Sequence, residues 1–158
     1  MRPTVTTEKG DELMKKAGHE NEVIVKPLHV GVSVPDISAS ITWYEEMLGF
    51  KLVFDKYFEQ LPARIAFMES GDFSIELFEV EEAAPLPADR RVPNLDIRTH
   101  GTKHVAYAVD DLKALMDRLK SKKVDVAMDL FQMEGDLVAF IRDNTGNLIE
   151  LIQQQAEN

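Results

Sequence analysis

A chain of 158 residues that is 44% hydrophobic and 29% charged fits one ordinary globular domain, large enough to bury a core without disulfides or a structural metal. With no cysteine, thiolate nucleophiles and iron–sulfur ligands are excluded, and a net charge of −10 argues against nucleic acid or an anionic membrane as partner. No apolar run approaches the roughly 20 residues needed to span a bilayer, and residues 1–26 lack the apolar core of a secretory signal, so a cytoplasmic setting is expected.

Residues 1–23 are polar and read as an N-terminal extension, with Asp11–Ala17 able to form a helical turn or two and His19 standing without a partner. From Val23 to Val34 the chain is β-rich, and its second part alternates, His29, Gly31 and Ser33 on one side and Val30, Val32 and Val34 on the other. Pro35-Asp36 ends that strand and offers a helix N-cap; Ile37, Ile41, Tyr44 and Leu48 then recur at helical spacing until Gly49 supplies a stop. Phe50–Tyr57, Ala63–Ser70 and Phe73–Val80 read as three strands, with Gly71-Asp72 as a tight turn. The first unit, residues 24–81, is therefore βαβββ.

Residues 82–101 carry Pro85, Pro87 and Pro93 without helical or strand periodicity and are expected to be a linker or a flap over a site. The second unit, residues 102–153, repeats the order. Lys103–Val109 places His104, Ala106 and Ala108 on one face, and Asp110 or Asp111 caps a helix bearing Leu112, Leu115, Met116 and Leu119. Val124–Met128, a short strand near Leu130–Met133, Leu137–Arg142 and Leu148–Gln153 follow, with Asp143–Asn147 as the last turn and residues 154–158 as a tail. Lys120, Lys122 and Lys123 read as the solvated end of the helix, where cations suit the dipole.

The two units are copies of one another. His29–Asp36 aligns with His104–Asp111 at an offset of 75, Ile65-Ala66-Phe67 with Val138-Ala139-Phe140, and Ile75-Glu76-Leu77 with Ile149-Glu150-Leu151 at an offset of 74. The polar residues repeated inside these apolar strands are two histidines and two glutamates. An unpaired carboxylate facing an apolar interior costs several kcal/mol, and two facing one another are worse. A divalent cation resolves that conflict: two neutral imidazoles and two carboxylates around a 2+ ion sum to zero charge. Nitrogen with oxygen donors suits Zn, Ni, Co, Mn or Fe(II) rather than Ca. His29, Glu76, His104 and Glu150 are thus the candidate ligands, one metal per site. The small residues Gly31, Ser33, Ala106 and Ala108 beside the histidines are expected to leave room for a ligand. His100 and His104 have i, i+4 spacing, but Gly101 and the alternation after Lys103 oppose a helix there, so His100 is expected in a loop.

Leu28-His29-Val30-Gly31-Val32, the Trp43–Phe50 helix end, Ser74-Ile75-Glu76-Leu77, Lys103-His104-Val105-Ala106-Tyr107 and the closing Asp143–Leu151 together resemble the vicinal oxygen chelate superfamily, over Pro27–Gln153. That superfamily includes glyoxalase I, methylmalonyl-CoA epimerase, fosfomycin and bleomycin resistance proteins and extradiol dioxygenases. The resemblance implies an α+β fold in which two tandem βαβββ modules, spanning residues 24–153, form a cup-shaped mixed sheet around a metal, frequently in a homodimer. His29, Glu76, His104 and Glu150 fall on the family's four ligand positions, a set similar to that of bacterial glyoxalase I. A six-coordinate ion with four protein ligands keeps two positions for adjacent substrate oxygens and acidifies the neighbouring C–H, with Glu76 or Glu150 as base.

The expected function is a metal-dependent isomerase, epimerase or lyase acting on a small substrate with vicinal oxygens through an enediolate. An Fe(II) ring-cleaving dioxygenase is one alternative, although a fourth ligand crowds the sites O₂ needs. A non-catalytic binding or drug-resistance protein is the other. Arg64 and Arg142 are the candidates for recognising the carboxylates of glutathione or a like substrate.

Overall fold

The computed structural model describes residues 26–155; Asp11–Ala17, His19, the stretch from Val23 to Val25 and the last three residues lie outside them. Strand β1 (His29–Ser33) leads to helix α1 (Ile37–Leu48) and strands β2 (Lys51–Phe58), β3 (Ala63–Ser70) and β4 (Phe73–Val80). After the linker come β5 (Val105–Ala108), helix α3 (Leu112–Ser121), β6 (Val126–Met133), β7 (Asp136–Arg142) and β8 (Leu148–Gln153). The linker itself holds a 3-10 turn at Ala88–Arg91 and one helical turn, α2 (Pro93–Asp96), where the sequence pattern predicts neither. Pro93 begins that turn, the position where its missing N–H costs nothing. Asp96, 1% exposed, is held there by ion pairs to Arg90 and, at 3.2 Å, to Lys103.

Each module forms its own four-stranded sheet, in the orders β1-β4-β3-β2 and β5-β8-β7-β6. The first strand of each lies parallel to the last, and the remaining pairs are antiparallel, so both sheets are mixed. The register repeats as well: Gly31 stands opposite Glu76, and Ala106 opposite Glu150.

The helix starts show why the repeat folds alike. Asp36 accepts from the Ala39 N–H and Asp111 from the Ala114 N–H, each at 2.9 Å, which assigns the second cap to Asp111. A further cap comes from the end of each last strand: Glu79 Oε2 accepts from Ile37 N at 2.6 Å, and Gln153 Oε1 from Leu112 N at 2.8 Å. Gly49 takes φ 74° and closes α1; α3 has no glycine at its end, and Lys123 takes φ 60° instead.

One core serves both modules. Ile37, Ile41 and Tyr44 from α1 and Leu112, Met116 and Leu119 from α3 join Ile75, Leu77, Ile149 and Leu151 from the central strands. Burying each such side chain contributes about 1.5–3 kcal/mol. The helix-facing sides of the two sheets are thus buried, and the opposite sides, which carry the residues alternating with Ile75, Leu77, Ile149 and Leu151, are left outside the core.

One strand departs from expectation. The two short strands expected between Val124 and Met133 are a single strand, β6, whose register shifts between Val126 and Met128 and again between Met128 and Phe131. Exposed Asp129 falls in the second irregularity and pairs with Lys120 at 2.7 Å. No helix among the described residues is long and apolar enough to cross a membrane.

Candidate metal centre

Because β1 and β4 run parallel side by side, the first residue of one and the middle of the other come together. His29 Nε2 lies 3.0 Å from Glu76 Oε2. In the second module His104, immediately before β5, places Nε2 3.1 Å from Glu150 Oε2 on β8. Both pairs are partly buried, with the carboxylates the more enclosed partners at 18% and 12% side-chain exposure. A phenylalanine stands behind each histidine. Phe67, in register with Glu76, meets the His29 ring edge-on at 5.5 Å, and Phe140, in register with Glu150, meets His104 at 5.1 Å. The repeated Ile-Ala-Phe and Val-Ala-Phe segments were visible in the sequence; that their phenylalanines set the plane of each imidazole was not.

The four candidate ligands therefore assemble as two pairs. Among the described residues no group of three or more His, Asp or Glu side chains converges within reach of one ion. The described residues build no single shared coordination sphere, and the shared core explains it: the helix-covered faces pack together, which leaves the His–Glu faces pointing away from that core. Each pair on its own has the spacing of two neighbouring ligands. Donors bound at roughly 2.1 Å and at right angles stand about 3 Å apart.

Residues 26–151 match the family model described as the Glyoxalase/Bleomycin resistance protein/Dioxygenase superfamily. The chain belongs to this superfamily. Among its relatives, a probable lactoylglutathione lyase of Vibrio parahaemolyticus is 28% identical over 130 residues, covering 81% of this chain and 90% of the relative. The mitochondrial methylmalonyl-CoA epimerase of Mus musculus is 28% identical over 131 residues, covering 79% of this chain and 71% of the relative. The crystal structure of a glyoxalase family protein from Enterococcus faecalis superposes with a TM-score of 0.69 at 18% identity, over 81% of this chain and 97% of that one, a likeness of fold.

Two neighbours of the paired residues are closely packed. At Gly31, which with Ser33 and Arg64 lines a cavity, a Cβ would stand 3.1 Å from the Phe78 ring. The candidate arginines are each held by a carboxylate of the chain. Arg64 forks onto Asp55 at 2.9 and 2.7 Å and donates to Ser38 at 2.8 Å. Those hydrogen bonds hold the Asp55 carboxyl below its usual pKa. Arg142 donates to Asp125 at 2.8 Å and to the Arg91 carbonyl at 2.6 Å, tying the linker to β7. His100 is exposed in the loop before β5, as expected.

A cavity of about 900 Å³ lies between β1, the linker and the start of β5, and reaches His104 but neither paired carboxylate. Sequence reading also passed over the polar knot at Asp143. That carboxylate accepts from Thr145 N and Oγ1, from Asn147 N and Nδ2, and from the Tyr44 hydroxyl of the other module. Tyr44, buried and beside the Asp143 charge, has its pKa raised well above the usual phenol value.

Proposed function

We propose that this protein is a metal-dependent isomerase, epimerase or lyase acting on a small substrate with vicinal oxygens, and that its metal centre is completed by a second copy of the chain. One observation carries the reading: two His–Glu pairs at the same register in duplicated modules, each on the sheet face turned away from the shared core. One module from each of two chains, brought face to face, would join His29 and Glu76 of one to the partner's His104 and Glu150. Two such sites would form per homodimer, consistent with the self-complementary contact of a two-fold assembly.

The donor set fits a divalent transition ion, Zn, Ni, Co, Mn or Fe(II), and each His–Glu pair already has the spacing of neighbouring ligands. When bound, such an ion supplies Lewis-acid stabilisation of negative charge developing on a substrate oxygen. The chain's own contribution is to hold the imidazoles edge-on against Phe67 and Phe140 and to offer a carboxylate oxygen as proton carrier. Oε2 of Glu76 or Glu150 takes the proton from the carbon beside the substrate carbonyl and returns it to the neighbouring carbon; in an epimerisation the other glutamate, protonated, gives its proton to the opposite face of the same carbon. The lyase and epimerase names among the relatives support proton transfer of this type. Ring cleavage by Fe(II) is less well served, since joining two His–Glu pairs brings two carboxylates where that chemistry uses one.

The test is metal analysis of the purified protein followed by deuterium exchange into α-hydroxycarbonyl and CoA thioester panels. Stoichiometric metal and metal-dependent exchange on one panel support the reading. A metal-free protein that takes up none of the five ions would sink it.

A further inference from the structure

We infer that the substrate carries an uncharged aryl or similarly bulky apolar group, and not the paired carboxylates of a peptide thiol; this deepens the proposed function and rests on it. Beside Glu76 a cavity of about 360 Å³ opens on the outward face of the first sheet, lined by Phe54, Phe58, Ile65 and Phe67, with Glu69 and Glu76 as its charged members. Among the described residues no lysine or arginine lines it. The rings form one continuous wall: His29 meets Phe67 at 5.5 Å, Phe67 meets Phe54 at 6.0 Å, and Phe54 meets Phe58 at 6.1 Å. Phe54 remains 39% exposed, a large apolar surface that the described residues do not cover.

Size and charge both select the ligand. Benzene fills a cavity of roughly 150 Å³, so this one takes a ring with its substituents while an oxygen pair reaches the His29–Glu76 edge. With the ion balancing Glu76, a ligand carboxylate seated here would still stand beside Glu69, with no lysine or arginine among the described lining residues to offset it. Arg64 and Arg142 are committed to Asp55 and Asp125, and Lys56 lies over the Phe58 ring, 5.4 Å from its centroid. The second module offers a matching stack, Phe131 on Phe140 with planes 8° apart, beside its own histidine.

Three hydroxamates separate the chelating head from its substituent: acetohydroxamate, benzohydroxamate and 4-carboxybenzohydroxamate, titrated calorimetrically into the zinc-loaded full-length protein. Benzohydroxamate should bind about tenfold more tightly than acetohydroxamate, the scale expected when one ring is taken from water. The added carboxylate should erase that gain. Phe54→Ala, and separately Phe58→Ala, should bring the benzohydroxamate to acetohydroxamate ratio near unity, and proton NOEs should link the ligand ring to Phe54 and Phe67. Equal binding of the acetyl and benzoyl compounds, or tightest binding of the carboxylated one, overturns the inference while leaving the metal reading intact. Failure of all three to bind the zinc-loaded protein overturns both.

Discussion

The Tyr44 hydroxyl on α1 of the first module donates to the Asp143 carboxylate in the β7–β8 loop of the second, at 3.1 Å, and both residues are buried. Around this contact Phe50 and Phe73 pack edge-on against Tyr107, each with ring centroids 5.7 Å apart, so the two modules are keyed together by polar and aromatic contacts at one seam. Removing the carboxylate strands the Tyr44 hydroxyl and two loop N–H groups. Asp143→Ala should therefore cost about 3 kcal/mol or more, and Tyr44→Phe about 1 kcal/mol. Urea unfolding of both single variants and the double variant measures this; independent, additive losses would show that the seam is not coupled.

The same tyrosines set the alkaline limit. Burial, and then the Asp143 charge, raises the pKa of Tyr44 and of Tyr107 above the free phenol value. The folded chain keeps both protons where the unfolded chain loses them, so their contribution is intact below about pH 10 and declines as pH rises beyond it. Stability should fall by about 1.4 kcal/mol per pH unit per tyrosine in that range. Tyr44→Phe should flatten the slope in proportion, and an unchanged slope would remove Tyr44 from the account.

A site shared between two chains has a distinctive genetic signature. If the site is shared as proposed, His29→Ala and His104→Ala homodimers would each lack a ligand in both sites, but a mixed dimer would regain one site with all four. Refolding the two inactive variants together should restore about a quarter of the wild-type metal content and activity, since half the dimers are mixed and each holds one intact site. Sedimentation should show the dimer in all cases. No recovery on mixing would place both pairs in separate, unshared roles.

In the proposed function the carboxylate of each pair has two duties. Glu150→Gln should abolish proton exchange on the substrate and lower metal retention by about 10- to 100-fold, and Glu76→Gln should lower retention similarly. Whichever variant keeps metal but loses exchange identifies the base. Full exchange activity in both would remove the carboxylates from the chemistry.

Much of this was readable from the chain alone. Alternation in β1 and β5 and helical spacing from Ile37 to Leu48 marked the elements, and the doubled His and Glu pointed to the neighbours His29–Glu76 and His104–Glu150, because these signals depend on local period and on repetition. The separation of the four residues into two distant pairs was not readable. Each module has two apolar sheet faces, one bearing Ile75 and Leu77 and the other Phe54 and Phe67, and periodicity does not say which face meets the sister module. The Asp143 network was equally hidden: Asp143–Asn147 announces a turn, but its partner Tyr44 is 99 residues away. The close packing at Gly31 was hidden too, because the ring beside it belongs to Phe78 on the neighbouring strand.

The parallel pairing of first strand to last has a bearing on how the molecule comes into being. His104 and Glu150 are 46 residues apart, and they meet only when β5 docks beside β8, after the chain between them has closed its longest loop. Antiparallel neighbours such as β7 and β8 need far shorter excursions. Nonlocal pairings of that span form slowly and late. The His–Glu pairs are thus completed only after the hairpins of their own module, so a partly folded module holds its imidazole and its carboxylate apart.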